Sequence, residues 1–105
     1  AYAAEMLFTG SRYGAEDALR MGLVNRVVAY VDLEDTVRDI AGIIAANAPL
    51  TLKSVKTSIR NTQLDESGRD MADVQAQIDA CFASDDYKEG QAAFMEKRAP
   101  EFKGR

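Results

Sequence analysis

A chain of 105 residues that is 47% apolar and 29% charged has the makeup of an ordinary globular domain, long enough for one core that buries roughly two-thirds of the unfolded chain's surface. Its net charge of -4 and pI near 4.8 argue against a protein that holds nucleic acid by a basic surplus, and no apolar run approaches the roughly 20 residues of a membrane-crossing helix. With no histidine and one cysteine, Cys81, it lacks the commonest general base, an internal disulfide and a cysteine-rich metal site, so a reducing cytoplasmic setting is expected.

The chain opens at "AYAAEMLFTG" with neither an initiator methionine nor the basic-then-apolar pattern of a secretory leader, and reads as the continuation of something longer. "AYAAEMLF" is rich in helix formers and should stop at Thr9-Gly10, where glycine takes the left-handed conformation. "GAEDALRMG" predicts a short helix with Glu16 and Asp17 in its first turn and Gly22 as its stop. "LVNRVV", Leu23 to Val28, is brief and β-branched and is the one strand candidate.

From Asp32, a plausible N-cap, Leu33, Val37, Ile40 and Ile44 make one apolar helical stripe. Asn47 and Pro49 end that helix and start the next. There Leu52, Val55 and Ile59 are the expected buried face, while Lys53, Lys56 and Arg60 form a basic stripe. That stripe is either a solvated face paired with nearby acids or a contact for an anionic ligand or partner subunit. "LDESGRD" is a polar connector, and Met71, Val74, Ile78, Cys81 and Phe82 mark a longer amphipathic helix in which Cys81 is expected as a small buried hydrophobe.

The last helix starts at Ser84, a good N-cap, with Asp85 and Asp86 at its acid-favouring end and Lys97 and Arg98 at the other. Capping does not explain Gly90, which costs about 1 kcal/mol relative to alanine inside a helix, nor the three-residue spacing of Phe94 and Lys97, which implies a shared face. The prediction is a mainly α fold, four to five helices with one short strand. Chemistry is scarce: adjacent Asp85 and Asp86 point apart and make a poor acid/base pair, and Tyr13 and Tyr87 read as packing residues. No metal-ligand cluster, nucleophile with its base, or phosphate-binding glycine loop is present in the sequence.

Two stretches taken together resemble the C-terminal part of the enoyl-CoA hydratase/isomerase family, the crotonase superfamily. "FTGSRYGAEDALRMGLVNRVV", residues 8 to 28, is similar to the family's Thr-Gly, Ala-x-Glu-Ala and Gly-Leu-Val pattern, with Asp17 where glutamate is usual. "SDDYKEGQAAFMEKRAPEF" resembles the family's closing signature, and "NAPLTLKSVK" lies between them. The resemblance covers essentially all 105 residues but only the later, smaller part of a family member. It implies the C-terminal helical subdomain of a crotonase-type α/β spiral, with 1–30 ending the spiral core and 31–105 forming a trimerisation and substrate-closing region.

The same resemblance implies a whole protein that adds water to, or moves, the double bond of a 2-enoyl-CoA through an enolate-like anion held in an oxyanion hole. The oxyanion donors and catalytic acids belong to the spiral, so these residues alone should be inactive. No prosthetic group is implied; coenzyme A enters as part of the acyl-CoA substrate, and identical subunits in a trimer or hexamer are the expected partners. The family's Phe-x-x-Lys element, matched by Phe94 and Lys97, is expected to contact CoA, while Ile78 and Phe82 are weaker candidates to line the acyl tail. Arg98 either assists Lys97 or pairs with Glu101. The alternatives are a non-enzymatic helical interaction module and, disfavoured by the acidic balance, a helix-turn-helix DNA binder.

Overall fold

Local backbone preferences decide where the helices stop. In the computed structural model, which describes residues 1–105, α1 (Tyr2–Thr9) ends at Gly10, whose φ of 59° lets its amide reach back to the Met6 carbonyl. α2 (Ala15–Arg20) carries Glu16 and Asp17 in its first turn, and Gly22, with φ 73°, follows its end. The chain is built as two compact units, Ala1–Arg38 and Asp39–Arg105. The first holds α1, α2, a 3-10 turn at Tyr30–Asp32 and the start of α3 (Leu33–Ala45). Asp32 closes that turn and is followed at once by α3.

The expected strand at Leu23 to Val28 is not formed; those residues are an irregular link. A strand exists only by pairing its amides and carbonyls with a neighbouring strand. No second β-branched run in this chain offers that edge, and the amides of Leu23 and Val24 turn back instead to the Ala18 carbonyl at 2.9 and 3.4 Å.

In the second unit α3 ends where the Asn47 side-chain amide donates to the Ile43 carbonyl, 2.8 Å away, and Pro49 sits in the first turn of α4 (Pro49–Thr62). α4 packs on α5 (Met71–Ala83), and α5 on α6 (Asp85–Glu96). Asn61 fastens the α4–α5 connection. Its Nδ2 donates to the Thr57 carbonyl at 3.0 Å and its Oδ1 accepts the Asp70 amide at 2.8 Å, and Asp70 in turn caps α5 by accepting the Asp73 amide. Ser84 joins α5 to α6: its hydroxyl donates to the Cys81 carbonyl and accepts the Tyr87 amide.

The expectation of one large apolar core is not met. Val74 and Ala93 are the buried hydrophobic residues, and α4 buries Ser54 and Asn61 in place of its apolar stripe. Leu52 is half-buried, but Val55 and Ile59 are exposed, as are Leu33, Val37 and Ile44 of α3 and Met71 and Phe82 of α5. Two packed helices bury only the strip between them. On α4 that strip carries small polar groups, Ser54, Ser58 and Asn61, whose spare hydrogen bonds run within α4 or to the start of α5. The helical periodicity was therefore legible, whereas the direction it faces was not.

Candidate functional site

Ser84 is at once the last cap of α5 and the first of α6, and its extended backbone breaks the helix there, so the two helices leave a common corner. Between them and α4 lies an open groove of about 680 Å³, within the size range of small-molecule sites. Its walls include Leu50 and Val55 of α4, Ile78 and Phe82 of α5, and Tyr87 and Phe94 of α6. Phe82 and Tyr87 meet edge to face, with ring centroids 5.1 Å apart and planes at 73°, which supports packing as the role of Tyr87. Cys81 also lines this groove and is half-buried, so it is not the fully enclosed hydrophobe expected.

The remaining wall comes from residues 97–105, a strap without regular structure that returns along α6. The reversal is a Schellman turn. Lys97 takes the left-handed conformation with φ 54°, the Lys97 amide donates to the Phe94 carbonyl and the Arg98 amide to that of Ala93. Lys97 thus lies just beyond the helix, and the direction of its side chain is set by this turn, not by the helical spacing that implied a face shared with Phe94. Phe94 is 82% exposed and lines the groove; Lys97 is exposed but is not among the lining residues. The structure therefore brings Ile78, Phe82 and Phe94 together and leaves Lys97 beyond the groove's lining.

Two carboxylates of α6 hold the strap. Asp86, 4% exposed, accepts the Lys103 amide on one oxygen at 2.6 Å and the Gly104 amide on the other at 2.7 Å, while its own amide donates to the Arg105 carbonyl. Glu89 accepts both terminal nitrogens of Arg98, at 2.5 and 2.9 Å, and the Glu101 amide at 2.9 Å. Arg98 also reaches Glu96 at 2.6 Å. The expected pairing of Arg98 with Glu101 is not formed, because the strap's return places Arg98 over Glu89 while the backbone of Glu101, not its side chain, enters the cluster. Asp85, by contrast, is exposed and pairs only with Lys88 at 3.0 Å.

Gly90 now has a neighbour. The Phe102 ring lies 3.6 Å from where a β-carbon at Gly90 would sit, and both residues line the groove. The residues that the sequence reading missed are therefore Asp86 as an anchor, Glu89 and Phe102. The unexplained glycine was the one signal pointing toward them.

The Arg98 hydrogen bonds, followed by that of the Glu101 amide, pull the Glu89 carboxyl from its ordinary 4.5 down to about 2, against a smaller opposing effect of desolvation. A depressed carboxylate contributes stability that is present above its unfolded pKa and is lost as pH falls through the folded one. Strap attachment is thus expected to weaken from about pH 4.5 toward pH 2. Amide exchange at Glu101 across that window should show the step, and Glu89→Gln should abolish it.

The arrangement can bind but holds no reacting pair. Asp86 has both oxygens engaged, and no group of three or more metal-ligating side chains exists. Lys53, Lys56 and Arg60 are exposed, and none takes part in an ion pair.

The family model for enoyl-CoA hydratase/isomerase matches residues 1–105. Carnitinyl-CoA dehydratase of Proteus mirabilis is 42% identical over 105 residues, covering 96% of this chain and 40% of that protein. The Escherichia coli K12 protein of the same name is 41% identical with the same coverage. Among solved structures, an enoyl-CoA hydratase from Mycobacterium marinum matches with a TM-score of 0.87 at 32% identity, covering 99% of this chain and 41% of its own. One from Bacillus anthracis matches with 0.83 at 33% identity, covering 100% and 41%. The chain spans about two-fifths of the length of these relatives. Its helical architecture is a piece of their crotonase fold, and with the family pattern running from its first residue to its last, the chain belongs to the enoyl-CoA hydratase/isomerase family.

Proposed function

We propose that these residues form the helical, CoA-contacting and subunit-contacting part of an enzyme that hydrates, or shifts the double bond of, a 2-enoyl-CoA thioester. The observation that carries this reading is the groove of about 680 Å³ bearing the exposed Phe94 ring in a chain of this family. Phe94 offers an aromatic face to adenine, and Lys97, three residues on, offers a mobile cation to phosphate. The thioester oxygen is then polarised by backbone amides, and protons are moved by carboxylates, on parts of the family's architecture that these residues do not include. The exposed apolar residues of α3 and α4 outside the groove, among them Val37, Ile44 and Ile59, suit contact with identical subunits in a trimer or hexamer. Coenzyme A enters only with the substrate, and a reducing cytoplasm is the setting proposed.

Those same exposed stripes favour the second reading, a non-enzymatic helical interaction module. Full-length protein carrying Lys97→Ala separates the two. Alanine keeps a β-carbon in the left-handed site, so the backbone cost is unchanged and the loss reports the ammonium. KM for crotonyl-CoA is expected to rise by about tenfold, more than kcat falls, and Phe94→Ala should act in the same direction. Unchanged acyl-CoA affinity and KM in both variants would remove the CoA contact, and the 105 residues alone should hydrate nothing.

A further inference from the structure

The groove is apolar along most of its lining, so its few uncommitted polar groups decide which edge of a ligand it can meet. Asp86 has both oxygens on the strap, and the Ser84 hydroxyl is taken up in the α5–α6 corner. The remaining side-chain oxygens and nitrogens of the lining are the hydroxyls of Thr51, Ser54 and Tyr87, each with a single donor, and the amide of Gln91. Gln91 alone sets a donor and an acceptor side by side on one planar group; it is exposed, and no group of the protein takes up either. It also has a particular neighbour. Gln91 lies three residues before Phe94 on α6, and both line the groove. Helical side chains lean toward the N-terminus, so Phe94 covers the turn that carries Gln91. A flat ring stacked on Phe94 therefore has the Gln91 amide at its rim.

We propose that Gln91 is a specificity-determining residue whose amide reads the edge of the adenine stacked on Phe94. The assignment rests on the acyl-CoA reading above. Adenine presents its N6 amino donor beside the N7 acceptor, and a glutamine amide answers both at once, Oε1 accepting from N6 and Nε2 donating to N7. Glutamate in that place would offer only acceptors, and lysine only donors. Neither Phe94 nor Lys97 can make this distinction. An aromatic face stacks on any base, and an ammonium on a phosphate senses nothing of the base at all. Phe94 and Lys97 thus supply affinity, and Gln91 supplies the preference for adenine.

The test measures, by calorimetric titration of the full-length protein, the Kd of butyryl-CoA, which has no double bond to hydrate, and of its deaminated counterpart, in which hypoxanthine replaces adenine. Hypoxanthine carries a carbonyl oxygen where N6 stood, so the edge becomes two acceptors and one of the two bonds to Gln91 is lost. The parent is expected to bind butyryl-CoA about tenfold more tightly than the deaminated ester. Gln91→Leu should bring that ratio close to one. Gln91→Arg, whose guanidinium donates twice, should reverse it. Phe94→Ala should weaken binding of both esters. Gln91 is exposed and unbonded, so both of its variants should melt like the parent, and if one fails to fold the other decides alone. A parent that binds the two esters equally, or a preference for adenine that survives in Gln91→Leu, overturns the proposal. If Phe94→Ala still weakens both esters in that event, the Gln91 assignment fails and the CoA reading stands. If the parent binds neither ester, both fall.

Discussion

Asp86→Ala is expected to destabilise the protein by about 3 kcal/mol, while Asp85→Ala, one position earlier, should leave the denaturation midpoint close to that of the parent. Each hydrogen bond to a charged acceptor contributes about 1.5 to 3 kcal/mol, and the buried Asp86 carboxylate makes two, to backbone amides that no other group in the structure satisfies. Alanine leaves those amides either unpaired or hydrated in a detached strap. Asp85 has only an exposed pair with Lys88, and exposed ion pairs are screened and contribute little. Urea denaturation of the two variants in full-length protein makes the comparison, with limited proteolysis near Lys103 as a second readout. Equal effects at the two positions would show that the strap is not anchored as described.

The second large effect is expected at Asn61. Leucine has nearly the same size, so Asn61→Leu tests the polar atoms and not the volume. It removes the acceptor for the Asp70 amide and the donor to the Thr57 carbonyl, at a site only 9% exposed. Each hydrogen bond lost costs about 0.5 to 1.5 kcal/mol, and here two go together, one of them to the amide of the residue that caps α5, so the α4–α5 corner should loosen with them. A loss of about 2 kcal/mol in urea denaturation, with faster amide exchange at Asp70, is the expected result. A variant as stable as the parent would mean that water replaces Asn61 at no cost.

These two positions show what the sequence could and could not reveal. Gly10, Pro49 and Ser84 were legible because each acts on its own backbone or within three residues of itself. Helix limits follow from such short-range chemistry. Asp86 was indistinguishable from Asp85 by any local rule, since both are acids in the first turn of α6; what separates them is a strap segment 17 and 18 residues away. Leu23 to Val28 had strand composition but lacked a strand to pair with. For Val55 and Ile59 the period was read correctly and burial was not, because burial depends on what a helix packs against. Of the candidate site, Ile78, Phe82 and Phe94 do gather in one groove. The face that helical spacing implied Lys97 shares with Phe94 is not a helical one, because α6 stops one residue short of Lys97.

The strap's contacts also fix an order of events in time. The helix packings join sequence neighbours, α4 with α5 and α5 with α6, and local topologies of this kind assemble on microsecond to millisecond timescales. Strap docking is different in kind, because it needs Asp86 on α6 and Pro49 at the start of α4 to be in place together. Closing a loop of this length takes only about 10 to 100 ns, so the strap waits for its two supports and not for its own search. It is therefore expected to be the last piece to arrive and the first to leave. Pulse-labelled exchange at Lys103 and Gly104 would thus serve as a clock for completed folding of residues 39–105.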